Sequence, residues 1–226
     1  MTSATRRIRP WPVLASLLFA GLAEPPLEAA QAEPDGRAGL HLVWFDVSRA
    51  APGAFDAASA EVSSLMDKAG IPVNWRRARS GNLFAHELGV IVLDVRPPRV
   101  GLGGDVLGAT RRTAGAPRAV WIYLPNILAT LRRHLGGRPL ALLGDRHVVG
   151  RALGRVVVHE LVHVLAPDVA HGSGLMAARL GTALLAERRA GLSGGVAHRL
   201  RAAVAARAPL SVAQAATAGA AAAGLQ

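Results

Sequence analysis

Residues 148–165 form an apolar and small-residue segment without proline, and its C-terminal half carries His159-Glu160-Leu161-Val162-His163. A run of that length reads as a buried helix. Residues four apart on a helix share a face and sit about 6 Å apart along the axis, so His159 and His163 can aim both imidazoles at one ion. Glu160 lies one position round from His159, beside the open side of such an ion, where a general base belongs. Either histidine alone on an apolar helix would read as a hydrogen-bonded core residue. The pair with Glu160 points to metal.

The chain contains no cysteine, so any zinc site must be built from histidine and carboxylate. A catalytic zinc takes three protein ligands plus water, and two histidines leave one place to fill. Pro167 stops the helix, and His171 follows eight residues after His163 within reach of the same ion. His171 is therefore the expected third ligand, and its rival as a residue is a solvated loop histidine.

The stretch HELVHVLAPDVAHGSGLM (residues 159–176) resembles the zinc-binding segment of metzincin-type metallopeptidases. In that family a His-Glu-x-x-His helix is followed by a third histidine and a methionine-containing turn. The nearest likeness is to small exported bacterial members with a similar eight-residue step to the third histidine. The likeness is strong over residues 154–180 and extends to the preceding strands and first helix only in general layout.

Carried over by position, the resemblance implies His159, His163 and His171 as zinc ligands, Glu160 as the base and Met176 as the turn methionine. The longer family motif has glycine three residues after its second histidine and its third histidine six residues after. Here those positions hold Ala166 and Val169. In the other large branch of His-Glu-x-x-His enzymes, the gluzincins, a glutamate from a following helix is the third ligand. Glu187 is the candidate for that role, although Arg188 and Arg189 beside it suit a solvated helix face.

Elsewhere the pattern is α/β in the first half and helical in the second. Residues 40–47, 71–77, 89–95 and 119–124 read as strands, and residues 55–69 as a helix that Gly70 and Pro72 end. Residues 101–117 read as a glycine-rich loop on the substrate side; it lacks the Gly-Lys-Ser/Thr ending of a phosphate-binding loop. Asn126 is the expected N-cap of a helix, and the alanine-rich residues 209–226 read as a disordered tail. Tyr123, the only tyrosine, reads as strand packing, with an oxyanion-stabilising role if its strand lines the cleft. His86-Glu87 resembles half a motif, but Val90 stands where its second histidine would be.

The first 32 residues read as an export signal, because Arg6, Arg7 and Arg9 precede WPVLASLLFAGLA and Ala30-Gln31-Ala32 offers a small-x-small cleavage site. The apolar run is short for a span of about 20 residues, and an uncleaved anchor is the alternative. The net charge of +11 suggests an anionic partner, yet Lys68 is the only lysine and the arginines run along the whole chain. No basic stripe with interleaved aromatics suggests nucleic acid.

The expectation is an α/β (α+β), metzincin-like fold: a mixed twisted sheet packed on one helix and an active-site helix, with a helical C-terminal part. Residues 33–208 would form an exported Zn²⁺-dependent endopeptidase domain acting on peptides, without nucleic acid and without stable membrane association after signal cleavage. Glu160 would take a proton from a water at the zinc. In this fold type the strand nearest the cleft commonly holds the substrate as an added strand. The competing expectation is a secreted zinc-binding protein without turnover.

Overall fold

Strand β1 (Leu40–Asp46) buries Leu40, Leu42 and Trp44 at period two on its core face, and Val43 on the other. The structure, a computed structural model, describes residues 39–46, 49, 51–79, 83–84, 86–95, 106–110, 119–134, 146–186 and 189–207. After β1 the chain enters helix α1 (Ala54–Lys68) through Gly53, whose φ of 74° is left-handed. The helix buries Ala54, Ala58, Val62, Leu65 and Met66, a stripe at helical spacing. Gly70, also at φ 74°, turns the chain into β2 (Val73–Ala78), which returns parallel to β1.

Strand β3 (Glu87–Leu93) pairs parallel on the other side of β1. Strands β4 (Gly108–Thr110) and β5 (Ala119–Tyr123) complete a five-stranded sheet of order β2-β1-β3-β5-β4, with β5 parallel to β3 and β4 antiparallel at the edge. Helix α2 (Leu124–His134) follows β5 directly. Helix α3 (Arg146–Leu165) carries the histidine motif, and a 3-10 turn at Gly174–Met176, helix α4 (Thr182–Ala186) and a helix α5 over residues 194–207 complete the described chain. The protein is thus mixed α/β with a mostly parallel sheet.

Helix α3 is buried almost continuously from Val149 to Leu165, because it is covered by α1, the sheet and the C-terminal helices. Its closest neighbour is α1, and glycine makes the approach possible. A Cβ on Gly150 would lie 2.5 Å from the Cβ of Ala57, and one on Gly154 would lie 2.8 Å from the carbonyl oxygen of Ala58. Trp44, Phe55 and Trp75 meet edge to face at centroid separations of 5.5–6.4 Å and tie α1 to β1 and β2. The indole N–H of Trp75 donates to Ser63 Oγ at 3.2 Å.

Four sequence expectations need correction. The segment 148–165 is not purely apolar: Arg155 is fully buried, donating from Nε to Glu61 Oε1 of α1 at 2.7 Å and from Nη1 to the carbonyl of Leu184. Its Nη2 has no hydrogen-bond partner among the described residues. The third strand begins at Glu87, two residues before the expected 89. It tolerates that buried carboxylate because Arg76 grips both its oxygens, at 2.9 and 2.8 Å, and the Phe84 N–H donates at 2.9 Å.

Within the expected glycine-rich loop, residues 108–110 are a strand. Antiparallel pairing with β5, a non-local contact, is what orders them. Asn126 is not the N-cap, since α2 starts at Leu124 with Pro125 in its first turn, where a missing N–H leaves nothing unsatisfied. Its amide instead donates to the Val106 carbonyl at 2.8 Å and holds the approach to β4.

Among the described residues no helix is long and apolar enough to cross a membrane. The expected export segment, residues 1–32, and the alanine-rich tail, residues 209–226, lie outside the described residues.

Candidate metal centre

The helical step of four residues places His159 and His163 on the same face of α3, with their Nε2 atoms 3.2 Å apart. After Leu165 the helix ends, and the Ala166 N–H still bonds the Val162 carbonyl before Pro167 turns the chain away. The return brings His171 Nε2 to 3.1 Å from His163 Nε2. The three candidate ligand atoms all lie within 4.8 Å of one another, with His159 buried, His163 half-buried and His171 exposed.

Protonation of His159 follows from its other nitrogen. Nδ1 lies 2.6 Å from the Leu175 carbonyl oxygen, which only accepts, so Nδ1 carries the hydrogen and Nε2 of the neutral ring presents a lone pair. Burial, with His171 adding to it, holds the His159 pKa below the usual imidazole value, against the opposing pull of the Leu175 carbonyl. Where His163 and His171 present Nε2 lone pairs as well, separations of 3.1–3.2 Å favour a positive centre among the three rings. Tetrahedral zinc with nitrogen ligands at about 2.0–2.1 Å sets those nitrogens roughly 3.3 Å apart, close to the two short separations here. The triad fits and can hold a metal ion.

The turn beneath the site is built by backbone bonds. Gly172 N–H donates to the Met176 carbonyl at 2.7 Å, and Ala177 N–H to the Gly174 carbonyl at 3.0 Å. Gly174 takes φ 60°, which a side chain would resist. Leu175 and Met176 are both buried by this turn. Leu175, not Met176, makes the hydrogen bond to a histidine of the site.

Glu160 is only 8% exposed and its carboxyl is pushed up to about 7 by burial, with the Thr110 hydroxyl pulling the other way. That hydroxyl donates to Oε2 at 3.0 Å. Strand β4 also presses on the residue, since a Cβ on Gly108 would lie 2.8 Å from Glu160 Cγ. Tyr123 is buried at the end of β5, and burial and then the nearby Glu160 charge raise its hydroxyl pKa. Its side chain does not line the cleft.

The cleft above the triad has a volume of about 510 Å³. It is lined by residues 106–108 and Thr110 at β4, the face of α3 carrying Val156, Glu160 and two histidines, His171 on the loop that follows, and residues 177–180 after the turn. Asp168 faces away and pairs with Arg199 of α5. Glu187, the rival ligand, lies outside the described residues. His41 meets His86 at a ring separation of 5.0 Å and is not part of the triad.

Sequence reasoning missed Gly108, Thr110, Arg155, Leu175 and Arg179. Of these only Arg155 had a signal within its own segment: an arginine four residues before His159 on an otherwise apolar helix face needs a buried acceptor. The fold and site together define a class: an α/β protein with a three-histidine cluster, two on a helix and one on the loop after it, open to a cleft and with a buried carboxyl beside it. Comparison with family models, with curated proteins and with solved structures returned no match.

Proposed function

We propose that the protein is an exported, zinc-dependent endopeptidase of metzincin-like architecture. The observation that carries this reading is the convergence of three imidazole Nε2 atoms at the floor of an open cleft, with the Glu160 carboxyl beside them. Three nitrogen ligands without thiolate, and with no fourth protein donor among the described residues, match the composition of a catalytic zinc site, whereas structural sites close all four positions. His159, His163 and His171 would hold the ion. Zinc bound there supplies Lewis acidity toward a peptide carbonyl and acidifies water.

The chain's own residues account for the rest. Glu160 Oε2 is fixed by Thr110, while Oε1 has no hydrogen-bond partner among the described residues and is available to accept a proton and return it to the leaving amine. The hydrogen bond to Leu175 orients His159 and increases its basicity as a ligand. Among the described residues strand β4 pairs only with β5, and it lines the cleft, which suits an extended peptide added as a further strand. An antiparallel edge strand beside the motif helix and a turn carrying Met176 beneath it support the metzincin-like assignment.

The test is the metal content of purified protein together with cleavage of a mixed peptide set before and after chelation. One zinc per chain, with cleavage lost on chelation and restored by zinc, is expected. Full cleavage by metal-free protein would overturn the reading, and zinc without any cleavage would make the protein a zinc binder.

A further inference from the structure

Among the residues lining the cleft, the ionisable side chains other than the three histidines are Glu160 and Arg179. They differ in how they are used. Glu160 is buried and engaged by Thr110, whereas Arg179 is exposed and forms no ion pair or hydrogen bond with a described residue. Its place in the chain presents it to the cleft. The 3-10 turn ends at Met176, Ala177 is extended at φ −62° and ψ 140°, and Leu180 is buried, so the wall is anchored on either side of Arg179.

Much of the remaining lining is apolar, including Leu107, Val156 and Leu180. A charge pair formed against such a wall is less screened than one in open water. The guanidinium fork matches a carboxylate with two parallel hydrogen bonds. The chain's net charge of +11 also favours approach of an acidic ligand.

We propose that Arg179 makes this cleft selective for a carboxylate on the bound peptide, carried either by an Asp or Glu side chain next to the scissile bond or by a free C-terminus. This rests on the peptidase reading, which the test is designed to separate. The probes are four fluorescent peptides of one sequence, carrying Glu or Gln beside the scissile bond, each with a free or an amidated C-terminus. Binding is read by fluorescence anisotropy on the zinc-loaded full chain carrying Glu160→Gln, which needs no turnover, and cleavage of the same peptides is read on the unmutated chain.

A carboxylate-bearing peptide should bind about tenfold more tightly than its neutral counterpart, the scale of one charge-assisted contact. The ratio should collapse toward one when Arg179→Ala is added, survive in part with Arg179→Lys, and invert in favour of the neutral peptide with Arg179→Glu. A preference lost on amidation assigns the contact to the C-terminus, and one lost on Glu→Gln in the peptide assigns it to the side chain. Equal binding of all four peptides, or a preference that persists in Arg179→Ala, overturns the proposal. A preference in binding without cleavage by the unmutated, zinc-loaded chain leaves Arg179 selective and removes the peptidase reading alone.

Discussion

The hydroxyl of Thr110 sits 3.0 Å from Oε2 of Glu160, across a sequence separation of 50 residues. This bond joins the edge strand of the sheet to the helix that carries His159 and His163, and sets which carboxylate oxygen remains available. Thr110 is therefore a positioning residue for the proposed base, and Gly108 two residues earlier leaves the room that Glu160 occupies.

Thr110→Val keeps the shape of the side chain and removes its donor. Cleavage should fall about tenfold in kcat/KM, the effect of one hydrogen bond to a charged group, while zinc content stays at one per chain. Steady-state kinetics beside metal analysis distinguishes this from loss of the site, in which both would fall.

Glu160→Gln separates binding from chemistry. The three imidazoles are untouched, so zinc should remain bound, and turnover should drop by at least about 100-fold with the base gone. Wild-type turnover in this variant would assign the proton transfer to another group.

Gly154→Val tests the contact between α1 and α3. A Cβ there would already meet the Ala58 carbonyl oxygen at 2.8 Å and Glu61 Cβ at 2.9 Å, and Glu61 is the partner of buried Arg155. Overpacking should destabilise the protein by about 1–3 kcal/mol in denaturant unfolding. An unchanged midpoint would mean that the helices part without penalty.

Acid stability should depend on Glu87. Burial works against its ionisation, but the hydrogen bond from Arg76, the Phe84 N–H and the Arg76 charge prevail and lower its pKa below 4.5. A carboxyl depressed in the folded state contributes stability above its unfolded pKa, and that contribution is lost as pH falls through the folded value. The loss thus begins below about pH 4.5. Glu87→Gln should flatten this part of the stability curve and lower stability at pH 7 by about 1–3 kcal/mol, as read by unfolding at several pH values.

Strands β1, β2, β3 and β5 and helices α1 and α3 were legible in the sequence because apolar periodicity reports directly on which face is buried. His159, Glu160 and His163 were legible because helical spacing converts sequence distance into geometry, and His171 because Pro167 and the glycines limit where the chain can go. Three residues at β4 carry no periodicity, and their order comes from β5. Thr110 and Arg179 carry no local mark either, since they reach the cleft only through tertiary folding. Arg155 was read as part of an apolar run because its acceptor, Glu61, lies 94 residues away.

The three imidazoles all belong to residues 159–171, and the Leu175 carbonyl that orients His159 follows shortly after. Drawing them together closes only a short loop, so the entropic barrier to assembling the donor set is small. The support for Glu160 has a higher contact order, because Thr110 reaches it across 50 residues. Assembly of the three histidines and placement of the Glu160 carboxyl therefore draw on different parts of the chain: the first on helix α3 and the turn after it, the second on the edge of the sheet.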